Sequence, residues 1–346
     1  MKLTPRALDP LGLSRVSDYI VGNLLPGITV MTNRGRNYGF YCWAVARALE
    51  DVDKAQFFTR VAQHEAAYVI GSLLDAEDNF PGAKGPIGNN RGVGAIQKSR
   101  SEENNIVPVD FSVLKHPSGG FKQYYRSPME RLGLILGNSS RVILSDKGRE
   151  MADAFEKSIR DTEYFRENLG KTAIEFRVLK EYGEMCSHLR MSQFKDEQKI
   201  FCDVFFGPNQ YESVNPTSRM ATLCLILNLV DYYSKLGYSV TDDDFRSIVY
   251  YGQSVNDGNL VEYQPPNHLI LEVMEQWRSF QFHEFFTLVL EQILTSFIYS
   301  LEECPGGLSK GQFVENCADF STIVSDYLNV DVSGRVLSEV IDLLLS

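Results

Sequence analysis

Apolar residues recur at three- and four-residue intervals over most of this chain, the spacing of helices that bury one face. Residues 13–25 form one such stretch, closed by Pro26-Gly27. Thr32 is placed to cap a second helix, which runs through Tyr38, Trp43, Val45 and Ala48 to about Asp51. Phe57, Val61, Tyr68, Ile70 and Leu73 mark a third, ending near Asp75. Gly35 and Gly39 weaken the second, since Gly costs about 1 kcal/mol against Ala inside a helix. Residues 78–120 break the pattern. DNFPGAKGPIGNNRGVGAIQKS and the segments after it are rich in glycine, proline and asparagine, which predicts loop or loop with short strands.

The period changes again over residues 120–159, which predict a helix, a tight β-hairpin at about 134–144 and a second helix. Leu134 and Leu136 alternate on one strand, Val142 and Leu144 on the other, and Gly137-Asn138-Ser139-Ser140 supplies the turn. Ser145 is placed to cap the next helix, with Asp146 in its first turn. This order is that of the end of a winged-helix unit. From residue 172 onward the pattern is helical, broken at Gly207-Pro208, Asn215-Pro216, Gly252 to Gly258, Pro265-Pro266 and Pro305-Gly306-Gly307. His268–Glu303 is apolar nearly all round, which places it in the centre of a bundle or at a subunit interface. The expected fold is mainly α, a helical bundle with an embedded winged-helix-like unit. Its expected division is a helical and winged-helix-like domain over 1–170 and an acidic helical domain over 171–346.

Charge sharpens that division. Residues 1–175 hold 23 Lys/Arg against 21 Asp/Glu, whereas 176–346 hold 11 against 24. Within 80–150 the ratio is 11 basic to 6 acidic, a local balance that suits an anion-binding face or an ordinary solvated one. No apolar run approaches the roughly 20 residues that span a bilayer, and MKLTPRALDPLGL has no apolar signal core. A cytoplasmic location without membrane contact is the expectation. The six cysteines are scattered among apolar neighbours and read as buried free thiols.

Motifs of catalysis are sparse. The histidines (His64, His116, His188, His268, His283) form no HExxH, and there is no CxxC pair. Cys186 and His188 lie two apart, which on a helix points them to different faces. There is no Gly-x-Ser-x-Gly elbow, and the glycine-rich run from Gly82 to Gly94 lacks the Gly-Lys-Ser/Thr of a phosphate loop. Thr241-Asp242-Asp243-Asp244 reads as a capped helix start rather than a cation site. No catalytic residue, metal ligand or cofactor is assigned.

Basic residues remain. Arg34 and Arg36 stand at a helix start, where cations oppose the dipole; a phosphate partner or an internal salt bridge to the acidic half would explain them. Arg91, Lys98 and Arg100 can touch a nucleic-acid backbone or lie on a plain linker. In a winged helix the segment before the hairpin can enter a groove, which nominates Lys122, Arg126 and Arg131, with Arg141 on the wing and Lys147 at the next helix start. Docking of proteins is the competing use of such a unit.

Leu25-Pro26-Gly27-Ile28-Thr29, followed by Arg34, Arg36, Tyr38, Phe40 and Trp43, resembles the opening of uncharacterised prokaryotic proteins of restriction and anti-phage defence islands. Tyr125 through Leu132-Gly133-Leu134 to Leu144-Ser145, with Lys147 and Gly148, is similar to winged-helix ends of many prokaryotic regulators. The resemblance covers about the first 160 residues. It implies an accessory, sensing or scaffolding subunit beside an ATPase or nuclease, and carries over no catalytic residue. Two expectations follow: a non-enzymatic subunit binding DNA backbone, partner proteins or both, and alternatively a nuclease-like effector whose carboxylates are not evident from spacing.

Overall fold

The computed structural model describes residues 11–32, 34–50, 56–103, 105–115, 119–138, 141–207 and 216–304, with 306, 307, 309, 311 and 312. The protein is mainly helical. Its chain forms two compact units, one of residues 25–220 and one of residues 1–24 with 221–346. The boundary expected at 170/171 therefore falls inside the first. Two nonlocal pairings hold that unit together across it: β1 (Ile106–Pro108) pairs antiparallel with β4 (Ala173–Glu175), and two helices from either side of the boundary cross closely.

Helix α2 (Arg36–Glu50) is the axis of the 25–220 unit, with 11 of its 15 residues buried. It packs against α3 (Phe57–Asn79) and α6 (Asp146–Ile159), α3 against α7 (Phe176–Cys186), and α6 against α8 (Lys195–Phe206). Aromatic side chains fill the centre: the rings of Phe40 and Tyr68 stack at 3.9 Å, and Phe155 and Trp43 close around them. Thr32 does not cap α2. It sits in a 3-10 turn (Val30–Thr32) and bonds Thr29, while α2 begins four residues later.

The glycine-rich stretch expected to be loop contains α4 (Asn89–Ser101). Its glycine at 92 belongs to packing, since a Cβ there would lie 2.7 Å from Leu73 and 2.9 Å from Val69 of α3. Ile96 is buried on the same side.

The helix–hairpin–helix segment forms with one change. Its first helix is a π-helical turn (Phe121–Tyr125) continued by α5 (Arg126–Arg131). Strands β2 (Ile135–Asn138) and β3 (Arg141–Leu144) form the hairpin, and Ser145 accepts from the Gly148 amide to cap α6. Among the described residues no third strand joins this hairpin, because β1 is taken by β4.

The other unit contains α1 (Ser14–Leu24), most of α9 (Pro216–Lys235), α10 (Asp242–Tyr251), and α11 (His268–Glu303). A second hairpin, β5 (Gln253–Asn256) with β6 (Asn259–Glu262), lies where only a helix break was expected. Asp257 and Gly258 both take positive φ, 49° and 77°, the geometry of a two-residue type I′ turn. Thr241 and Asp244 form the capping box that starts α10. The core of this unit gathers Leu225, Leu229, Tyr233, Ile248, Val261 and Val273, with Trp277 packed at its edge.

The crossing of α3 and α7 offers a test. A Cβ at Gly183 would lie 2.1 Å from the Gly71 carbonyl oxygen, a backbone atom that cannot yield without the helices separating. Gly183→Ala should destabilise by about 1–3 kcal/mol, the usual range for overpacking. Gly94, inside α4, has nothing within 4 Å of its Cβ position, so Gly94→Ala should stabilise by about 0.5–1 kcal/mol. Urea unfolding of the two variants should move the midpoint in opposite directions.

Candidate interaction surfaces and the buried polar network

Lys122, Arg126 and Arg131 share one helical segment whose inner side is fixed by buried Phe121 and Tyr125. Lys122 and Arg131 are exposed. Lys122 stands 5.3 Å from the Phe58 ring, and Arg126 is held by Glu130 at 3.0 Å. Arg91, Lys98 and Arg100 lie apart from these on α4. Arg91 donates to the carbonyls of Ser112 and Leu114 at 2.7 and 2.8 Å, so it shapes the following loop. Arg100 makes a bidentate pair with Glu77 and Lys98 lies 4.0 Å from Glu102. Lys147 is half-buried in the first turn of α6, and the side chain of Arg141 lies outside the described residues, as does His116. The structure thus splits the expected set among four segments, α4, the helical segment 121–131, β3 and α6, and gives several of its cations internal acceptors.

Arg36 belongs wholly to the interior. It is 1% exposed and makes a bidentate pair with Glu197 of α8 at 2.9 and 2.8 Å. It also donates to the carbonyls of Ser187 and Met185 and to the Ser158 hydroxyl. Of the two explanations for a cation here, the internal salt bridge is the one realised; Arg34 remains exposed.

Sequence reasoning missed a second buried group, Glu65. This carboxyl is 0% exposed and meets no cation among its described hydrogen-bond partners: the Tyr41 hydroxyl donates to Oε1, and the Gly120 amide reaches both oxygens at 2.9 and 3.0 Å. The fit requires glycine. A Cβ at Gly119, where φ is +63°, or at Gly120 would fall 2.3 Å from a carboxylate oxygen. Beside it Asn37 donates to Tyr125 at 2.6 Å and accepts from Tyr68 at 2.7 Å. The network ties the π-helical turn to α2 and α3. Burial pushes the Glu65 carboxyl up to about 7, against the lowering effect of the Tyr41 and Gly120 hydrogen bonds. The sequence held a signal for it. Positions 61, 62, 65, 68, 69 and 72 share one helical face, and every other member is apolar, aromatic or small.

His188 is buried, with Nε2 at 3.1 Å from the Lys84 carbonyl and burial holding its pKa down, while Asp75 is clamped by Arg190 at 2.6–3.0 Å. Cys42 and Cys186 are buried thiols that burial pushes upward, hence poor nucleophiles; Cys202 is exposed, and Cys317 lies outside the described residues. Among the described residues no three His, Cys, Asp or Glu side chains come together as a metal site. One surface concavity of about 470 Å³ is walled by Glu77, Asp78, Arg100, Arg177 and Lys180. Its cations already meet acids, Arg100 with Glu77, Lys180 with Asp78 and Arg177 with Glu163.

The unit of 1–24 and 221–346 differs in its surface. Sixteen of the 22 exposed large apolar side chains among the described residues belong to it, although it holds well under half of those residues. They include Tyr19, Leu227, Val230, Tyr251, Val255 and Tyr299. Helix α11 passes from one regime to the other. Ile270 and Val273 are buried and Trp277 donates to Thr222 at 3.1 Å, whereas from Phe285 to Glu302 the only buried side chain among those described is Ser300. Contrary to the sequence expectation, this helix is long and apolar enough to cross a membrane by length and composition alone.

No family model, no curated protein and no solved structure matches the chain.

Glu65 yields a pH-dependent stability. Its folded pKa, about 7, lies above the unfolded value near 4.5, so the folded state holds the proton more tightly. The stabilisation is complete below pH 4.5 and is lost as pH rises to 7. In Glu65→Gln the amide keeps an acceptor for Gly120 without a charge. Melting temperature measured from pH 5 to 8 should fall by several degrees more in wild type than in this variant; parallel curves would show that Glu65 does not ionise in that range.

Proposed function

We propose that the chain is a cytoplasmic, non-enzymatic subunit of a multi-protein complex, and that it docks partner proteins through the unit of residues 1–24 and 221–346. The observation that carries this reading is the concentration of exposed apolar side chains in that unit. Apolar side chains scattered singly are normal on a soluble surface, but contiguous ones favour association. In the 25–220 unit, by contrast, Glu65, Asp75, Arg36 and Glu197 are buried and bonded to other protein groups, so they serve the fold and not a substrate.

A second reading is favoured by exposed Lys122 and Arg131 on the segment before the hairpin. There the winged-helix-like unit, residues 120–159, would touch a DNA backbone. Internal pairing of Arg100 and Arg126, with the acidic balance of the chain, supports modest affinity without base preference.

A photo-crosslinking residue replacing Tyr299, and another replacing Tyr124, separates the two in cells. The docking reading expects discrete protein adducts at 299 that disappear when Leu288→Ser is introduced; absence of any protein adduct at 299 defeats it. For the DNA reading, Lys122→Ala with Arg131→Ala should weaken binding about equally on unrelated duplexes. The dependence on salt should also flatten by about one unit per lost phosphate contact. An unchanged affinity at low salt would remove that reading.

A further inference from the structure

The long helix α11 narrows the class of partner, and the narrowing rests on the docking reading above. Glu284, Leu288, Glu291, Thr295, Ile298 and Glu302 follow one another at four- and three-residue steps, so they form a single stripe along the helix. All are exposed except Glu291, which is half-buried, and Tyr299 stands beside the stripe at 65% exposure. The stripe therefore interleaves three glutamates with Leu288, Thr295 and Ile298, and Glu284 also accepts from the Ser17 hydroxyl of α1. No Lys or Arg occurs from residue 279 through 309, and between 221 and 304 there are 12 acidic side chains against three basic. Lys235 and Arg246, two of those three, already meet Asp231 and Asp243.

We propose that the second half of α11 receives a basic amphipathic helix from a partner protein, its apolar side chains seated on Leu288, Ile298 and Tyr299 and its Lys or Arg side chains facing Glu284, Glu291 and Glu302. Charge complementarity selects this occupant. A second copy of the chain would set these glutamates against one another in either helix direction, and like charges at close range oppose pairing. A bilayer would have to take Glu291 near the middle of the apolar stretch, where a charge is expelled. A helix with matching three–four spacing meets both the apolar and the ionic requirement.

The test uses the full chain and an 18-residue peptide of Leu and Lys patterned as an amphipathic helix, followed by fluorescence anisotropy at two salt concentrations. A peptide with Glu in place of Lys and zwitterionic phosphatidylcholine vesicles serve as the contrasting probes. The Lys peptide should bind at least tenfold more tightly than the Glu peptide and weaken as salt rises. Ile298→Ser with Tyr299→Ser should lower its affinity at least tenfold, and Glu284→Gln with Glu291→Gln should flatten the salt dependence. Asp243→Asn with Glu262→Gln, acidic groups of the same unit outside the stripe, should leave binding unchanged. All these positions are exposed or half-buried, and unaltered circular dichroism and melting would confirm that the variants fold. Equal binding of both peptides, or equal loss with the control pair, overturns the inference. If sedimentation instead finds a dimer, or vesicles bind, and the Ile298/Tyr299 variant abolishes it, the surface is a docking surface for a different occupant and the basic-helix assignment falls alone. If the stripe variants alter no association and 299 gives no protein adduct, both readings fall.

Discussion

The buried pair of Arg36 and Glu197 is the constraint on which the 25–220 unit depends. Arg36 makes five hydrogen bonds to four acceptor groups drawn from α6, the end of α7 and α8, and its guanidinium lies 4.1 Å from the Phe194 ring. Desolvating both charges is expensive, and an apolar pair of equal volume can be as stable. Removing one partner is another matter: an uncompensated buried charge costs about 3–5 kcal/mol. That is a large share of the roughly 5–15 kcal/mol by which a domain is usually stable. The pair therefore fixes geometry more than it adds stability. It also explains a cation at a helix start, since the carboxylate, two carbonyls and a hydroxyl outweigh the unfavourable dipole.

Once Arg36 is set, other polar groups of the unit follow the same rule of inward satisfaction. Arg219 donates to the carbonyls of Phe205, Val204 and Pro26, Arg190 clamps Asp75, and the Glu65 network holds the turn that carries Lys122. This limits what charge counting can say. The basic excess over residues 80–150 includes Arg91, Arg100 and Arg126, whose guanidinium groups bond protein acceptors. A local charge balance records ionisable groups without recording which are already paired, and pairing here is largely nonlocal.

The sequence was most legible where the physics is local. His268–Glu303 begins and ends as its periodicity indicates, and the Ser145 cap, the Thr241–Asp244 box and the 135–144 hairpin each follow from neighbouring residues. Misreadings came from several sources. Helix α4 looked like loop because glycine lowers helix propensity, yet Gly92 is there to let α4 approach α3. Strand β1 pairs with β4 some 65 residues away, a contact that no local pattern encodes. The β5–β6 hairpin was different, since Asp257-Gly258 between alternating residues is a recognisable turn signal that the surrounding helical pattern obscured. Of the candidate site, Glu65 was detectable by its place on an apolar helical face, whereas the outward stripe of α11 was hidden because the helix looked uniformly apolar.

A helix apolar on most sides gains stability only from the sides it covers, about 25 cal/mol for each Å² removed from water. The first half of α11 covers its inner side with Leu229, Ile248 and Val261 of its own unit. Beyond Phe285 the same composition continues, but almost nothing described is buried. Stability within the chain does not require Leu288, Ile298 and Tyr299 to be apolar at exposed positions, where polar residues would serve as well. Association does require it, because covering such side chains is the main favourable term when surfaces meet. The glutamates interleaved with them then act on selectivity. In the proposed docking they would weaken attraction to any acidic or apolar surface while leaving a cationic one favoured, so that a single stripe would both drive binding and restrict what can bind.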